Sequence, residues 1–177
     1  MADTAFRPGY GVLTAPMTLR IERLLPGPIE RVWAYLTESD KRGRWLATGE
    51  MELHVGGRVS LTWHNDTLTG HDEPRPEGHP CEHRLESTIT RIEPPRLLVM
   101  GWGNAGDVTF TLEPWGDEVR LVIEHRNLPD RDTLLSVAGG WHAHLDILAA
   151  VSRGQAPGPF WSTWQRLRGE YDARLPR

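Results

Sequence analysis

The chain has 177 residues, enough for one domain with a full core and too few for two of ordinary size. Its 20 basic and 24 acidic residues leave a formal net charge of −4, so it carries no basic footprint for nucleic acid or an anionic membrane face. The single cysteine, Cys81, cannot close an internal disulfide, no run approaches the ~18 consecutive apolar residues of a membrane span, and the opening segment lacks the basic and apolar regions of a signal peptide, so a cytoplasmic protein without membrane insertion is expected.

Residues 1–16, rich in Gly, Pro and small side chains, are expected to form a flexible N-terminal arm. In 17–25, Leu19 and Ile21 alternate with Arg20 and Glu22, the period of a strand with one wet face. Pro26 and Pro28 stop it, and Ile29, Val32, Trp33 and Leu36 recur at helical spacing, predicting a short helix with one face inward. A further turn around Gly43 brings Trp45 toward the interior. Residues 49–64 predict a hairpin turning at Gly56 and Gly57, with Val59, Leu61 and Trp63 on one face of its second arm. The polar stretch 65–82, interrupted by Pro74, Pro76 and Pro80, is a long loop. A hairpin at 83–102 turns at Pro94 and Pro95. Another follows, with Val108, Phe110 and Leu112 on one strand and Val119, Leu121, Ile123 and His125 on the next. Six strands after one helix indicate an antiparallel meander in an α+β domain. A long helix then runs to Val151, capped by Asp130 or Asp132, with Leu134, Ala138, Trp141, Leu145 and Leu148 facing inward. Pro159 opens a second helix, to Leu175, that buries Phe160, Trp164 and Leu167.

Several segments, in order and spacing, resemble one known family. They are IERVWAYLT followed by RWL, VGGRVSL, IEPPRLLVMGWG, VTFTLEPWGDEVRLVIEHRNLPDR and GGWHAHLDIL, with PFWSTWQRLRGEYDARL similar to the extra tail helix of one bacterial branch. Together they are similar to the START/SRPBCC-like helix-grip superfamily, and within it to single-domain bacterial relatives of the activator of the 90-kDa heat-shock-protein ATPase. The resemblance implies a helix-grip fold: a curved antiparallel sheet wrapped around a long C-terminal helix. The domain is expected over 17–153, with the tail helix of 154–177 packed on it. Nothing in the chain resembles the separate N-terminal domain of the eukaryotic co-chaperone.

A sheet closed by one late helix encloses a pocket. Trp45, Trp63, Trp102, Phe110, Trp141 and Leu145 fall at inward positions and are expected to line it, giving an apolar, aromatic site for a small aromatic, acyl or lipid-like molecule. His125 shares the face of Leu121 and Ile123 and is the expected polar group, with His144 beside the Trp141 stripe at the rim. His142 and His144, two residues apart on a helix, point about 200° apart and cannot share a metal ion; His142 pairs instead with Asp146. The segment His79-Pro80-Cys81-Glu82-His83, with His71, has zinc-like spacing, but Pro80 and the length of the loop argue against a site, so no metal and no cofactor are expected. No nucleophile triad or phosphate loop occurs, and no catalytic residue is assigned. The primary expectation is therefore a binder of a small apolar molecule. Two alternatives stand beside it, a cyclase- or hydrolase-like enzyme using His125 or His144 as base and a co-chaperone-like module acting on another protein through its surface. The oligomeric state is not legible in the sequence.

Overall fold

A computed structural model of the chain describes residues 9–177. Seven strands form one curved antiparallel sheet in the order β1-β2-β7-β6-β5-β4-β3, with ranges β1 Val12–Ala15, β2 Thr18–Pro26, β3 Arg58–Trp63, β4 His83–Glu93, β5 Leu97–Gly101, β6 Asp107–Trp115 and β7 Glu118–Arg126. Four helices accompany it: α1 Ile29–Thr37, α2 Ser39–Arg42, α3 Arg131–Ser152 and α4 Trp161–Arg174. This is the α+β helix-grip architecture that the resemblance implies.

Period-2 alternation sets the inner face. Leu19, Ile21 and Leu25 of β2 register with His125, Ile123 and Val119 of β7, and these in turn with Val108, Phe110 and Pro114 of β6. All but Pro114 are buried, because α3 lies across this face. Arg23 breaks the apolar pattern on the same face, and its guanidinium reaches Asp146 of α3 at 3.1 Å and the Gly9 carbonyl at 2.8 Å, so the charge is paired as it is covered. The expected α3 stripe of Leu134, Ala138, Trp141, Leu145 and Leu148 is buried. Leu135, His142, Ala143, His144 and Ile147 are buried as well, because α4 covers a second side of α3 through Trp161, Trp164, Leu167 and Tyr171. A helix enclosed on two sides reads as apolar nearly all round. By length and composition α3 could cross a bilayer, but it is the buried core helix of the domain.

Two sequence expectations change. Val12–Ala15, placed in a flexible arm, is an edge strand paired with β2, and residues 1–8 of that arm lie outside the described residues. The first arm of the predicted hairpin at 49–64 makes only isolated bridges, Thr48 to Thr62 and Met51 to Val59, so five strands rather than six follow α1. Gly49 and Gly57 explain this: a Cβ would sit 1.9 Å from the Ser60 carbonyl oxygen at the first and 2.0 Å from that of Glu52 at the second, so the backbone folds tightly onto β3 without extending as a strand. Of the two cap candidates for α3, Asp130 is the cap: it accepts the Thr133 N–H at 2.7 Å, and the helix begins at Arg131.

Candidate functional site: an aromatic cavity under the tail helix

Where β3 and the turn after β5 meet the first half of α3 and the start of α4, the core does not close. A cavity of about 300 Å³ remains, walled by Trp63 and Trp102 from the sheet, Trp141 and His144 from α3, and Phe160, Trp161 and Trp164 from the start of the tail helix. The loop before β4 adds Asn65, His79, Cys81 and His83. Five of the eight tryptophans therefore meet at one place. Two runs of ring contacts hold the walls. On the sheet side, Trp63 and Trp102 meet edge-on at 5.7 Å, Trp102 lies 5.1 Å from Trp141, and Phe110 supports Trp141 from behind at 5.7 Å. On the helix side, His144, Phe160, Trp161 and Trp164 follow one another at 4.7, 4.9 and 6.0 Å, and His79 closes against Trp164 at 4.9 Å.

The two histidines differ in what they can do. His125 is fully buried; its Nδ1 accepts the Trp141 indole N–H at 3.0 Å, which obliges Nε2 to carry the proton and donate it to the Ala105 carbonyl at 2.5 Å. Gly106 makes that possible: at φ +82° it packs so closely on β7 that a Cβ would stand 1.9 Å from the Arg126 carbonyl oxygen, and the turn thereby delivers Ala105 to the ring. Burial lowers the His125 pKa against the opposing effects of the Ala105 bond and Asp107, so the ring stays neutral. With both nitrogens engaged, His125 fixes the Trp141 ring and has no base to offer an occupant. His144, 5% exposed, bonds the Trp45 carbonyl through Nδ1 at 2.8 Å. Burial pulls its pKa down to about 4, only partly opposed by that bond. A carbonyl can only accept, so the single proton of the neutral ring sits on Nδ1 and Nε2 is a bare lone pair. Nε2 has no hydrogen-bond partner among the described residues.

The long loop is strapped to the tail helix. Glu73 accepts the Trp161 and Ser162 backbone N–H groups at 2.9 and 3.0 Å, a carboxylate placed at the positive end of α4. Burial pushes its carboxyl up, but the bonds from Ser162, Trp161 and Phe160 outweigh this and hold it below the usual range. Asp66 accepts the Trp161 indole N–H at 2.9 Å, and His71 Nε2 bonds the Pro157 carbonyl at 3.0 Å. Asn65 lines the cavity with its side-chain oxygen buried and without a donor.

Of the residues expected to line the pocket, Trp63, Trp102, Trp141 and His144 do so. Trp45, Phe110, His125 and Leu145 do not. Trp45 turns its ring into the core, where its indole N–H donates to the Tyr35 carbonyl at 2.8 Å, and it serves the cavity only through its own carbonyl. Phe110 stands behind Trp141, and with Trp45 borders a separate void of about 10 Å³. Leu145 is fully buried on the core side of α3. Phe160 and Trp164 were legible as a helix face but not as cavity wall, because burial against α3 and exposure to a cavity use the same apolar residues, and Trp161 stood outside the face expected from the sequence. His79 and His83 pack on Trp164 and Trp63 respectively, on different walls. Among the described residues no three His, Cys, Asp or Glu side chains are grouped to hold a metal. His142 makes the expected approach to Asp146, 3.6 Å, and also bonds the Tyr171 hydroxyl at 2.9 Å.

The family profile described as Activator of Hsp90 ATPase homolog 1-like protein matches residues 26–153. The solution structure of the BPP1335 protein of Bordetella parapertussis is 44% identical, with a TM-score of 0.79 over 98% of this chain and 94% of that one. The crystal structure of CalU16 from Micromonospora echinospora is 25% identical, with a TM-score of 0.66 over 94% of this chain and 96% of that one. No curated protein matches the chain.

Proposed function

The chain belongs to the Activator of Hsp90 ATPase homolog 1-like family, and from that premise we propose that it binds a small, largely apolar molecule in the cavity between the sheet, α3 and the tail helix. The observation that carries this is the five-tryptophan wall around about 300 Å³ of open space, at the lower end of the ~300–1,000 Å³ usual for ligand pockets. A dry void of that size would cost about 7 kcal/mol at ~24 cal/mol per Å³, a large part of the ~5–15 kcal/mol stability of a domain. Exposed Cys81 and His83 on the rim leave the space open to water, and water against indole faces is readily displaced by an apolar occupant.

Binding accounts for the site better than the two alternatives. Among the described residues no carboxylate lines the cavity, His125 is sealed, and His144 is oriented by the Trp45 carbonyl and not by a carboxylate, an arrangement that suits an acceptor better than a general base. The exposed large hydrophobics among the described residues are Val12, Leu53 and Val55, too few for an extended apolar docking face. A cytoplasmic location belongs to the same proposal and is supported by the exposed free thiol of Cys81.

Native mass spectrometry of the purified protein, followed by thermal melts against a panel of two- and three-ring aromatics, tests the proposal. A one-to-one adduct with a raised Tm is expected, because a ligand selective for the folded state stabilises it by mass action. Absence of both across the panel would overturn it.

A further inference from the structure

Building on the binding function proposed above, we infer that the occupant is a neutral aromatic molecule bearing a hydrogen-bond donor, a phenol-type hydroxyl or ring N–H, and that His144 selects it by accepting that donor at Nε2. Two features of the wall lead there. The Trp45 carbonyl takes the Nδ1 proton of His144 and so leaves a lone pair at Nε2, on a ring that is part of the cavity wall and is held against Phe160 at 4.7 Å. Asn65 also lines the cavity, but its side-chain oxygen is buried behind the wall, so Nε2 of His144 is the acceptor that an occupant meets. That site asks for a donor, and a purely apolar occupant would cover it without satisfying it, which costs affinity.

The second feature is charge. Among the described residues, no Lys, Arg, Asp or Glu lines the cavity. A carboxylate headgroup would meet the His144 lone pair with no cation to neutralise it, and would leave bulk water for an indole-lined space. Fatty acids and aryl carboxylates are therefore disfavoured, while flat neutral rings match the Trp102 and Trp141 faces, 5.1 Å apart at 46°. Selectivity comes from the unpaired acceptor: a site built to take a donor rejects the analogue that lacks it more strongly than an apolar wall rejects a change of shape.

Isothermal titration of the full chain with 2-naphthol, its methyl ether and 2-naphthoate separates these terms. The expected order is naphthol first, with the ether and the carboxylate each weaker by about tenfold or more. The His144→Phe variant keeps a ring in the wall and removes the acceptor, and it should bring naphthol and its ether within about threefold of one another. The unaltered protein supplies an independent measurement should that variant fold poorly: the ¹⁵N resonance of His144 Nε2 should move on addition of naphthol and stay in place on addition of the ether. Equal affinity of naphthol and ether, or an unmoved Nε2 resonance with naphthol bound, would overturn the donor assignment and leave the apolar-cavity proposal standing. No binding by either neutral compound would overturn both.

Discussion

Replacing His125 by leucine should destabilise the protein by about 3 kcal/mol, because it removes the group that holds Trp141 in the cavity wall. The ring has 0% exposure and joins two groups that have no other partner among the described residues: the Trp141 indole N–H and the Ala105 carbonyl. Leucine fills a similar volume, so the cost comes chiefly from the buried Trp141 N–H left without an acceptor, with a share from the half-buried Ala105 carbonyl left without its donor, each worth roughly 1–3 kcal/mol. At roughly 2–4 °C per kcal/mol for a chain of this size, the melting temperature should fall by about 6–12 °C. Urea denaturation at neutral pH measures the same loss as a lower midpoint at constant slope. Trp141, released from its only hydrogen bond, should also show a less dispersed indole resonance. A His125→Leu protein within about 1 kcal/mol of the wild type would refute the view that this histidine exists to hold the tryptophan.

Acid should weaken the fold well before carboxylates titrate. Burial holds His144 and His142 at about 4, below the 6.5 of an unfolded histidine, so the unfolded chain binds protons that the folded chain refuses. Stability is full above pH 6.5 and is lost as pH falls from 6.5 through about 4, with about 3 kcal/mol from His144 alone; urea midpoints at pH 7 and pH 4.5 that agree would contradict this. Glu73→Ala removes the acceptor for the Trp161 and Ser162 N–H groups, and should cost about 1 kcal/mol and speed hydrogen exchange at those two amides; unchanged exchange would sink the strap assignment. Cys81 is an exposed thiol on the cavity rim, so an occupant should slow its alkylation, and equal rates with and without a saturating aromatic ligand would place the ligand elsewhere.

The fold was legible because its periodicities are clean. Alternation in β6 and β7 and the inward stripe of α3 each mark one buried face, and the aspartates before the helical run narrow its cap to Asp130 or Asp132, of which Asp130 serves. The site was half legible. Alternation told which side Trp63 faces, but it could not tell that Trp45 turns away to bond Tyr35, since core and cavity wall are equally apolar. Nor could it show that His125, on the correct face, is spent on Trp141 and Ala105, because a hydrogen bond to a turn carbonyl has no sequence period. The contribution of the tail helix depends on where the long loop docks. That docking rests on Glu73, Asp66 and His71, polar residues indistinguishable by type from those of any solvated loop.

The most direct test of the cavity is an indole N–H titration by two-dimensional NMR with a neutral bicyclic aromatic. The chain has eight tryptophans, and the structure divides them sharply: Trp63, Trp102, Trp141, Trp161 and Trp164 wall the cavity, while Trp33, Trp45 and Trp115 do not. Binding in the cavity should move the first five indole signals with one common affinity and leave the other three in place. Shifts confined to Trp33, Trp45 and Trp115, or spread evenly over all eight, would contradict it.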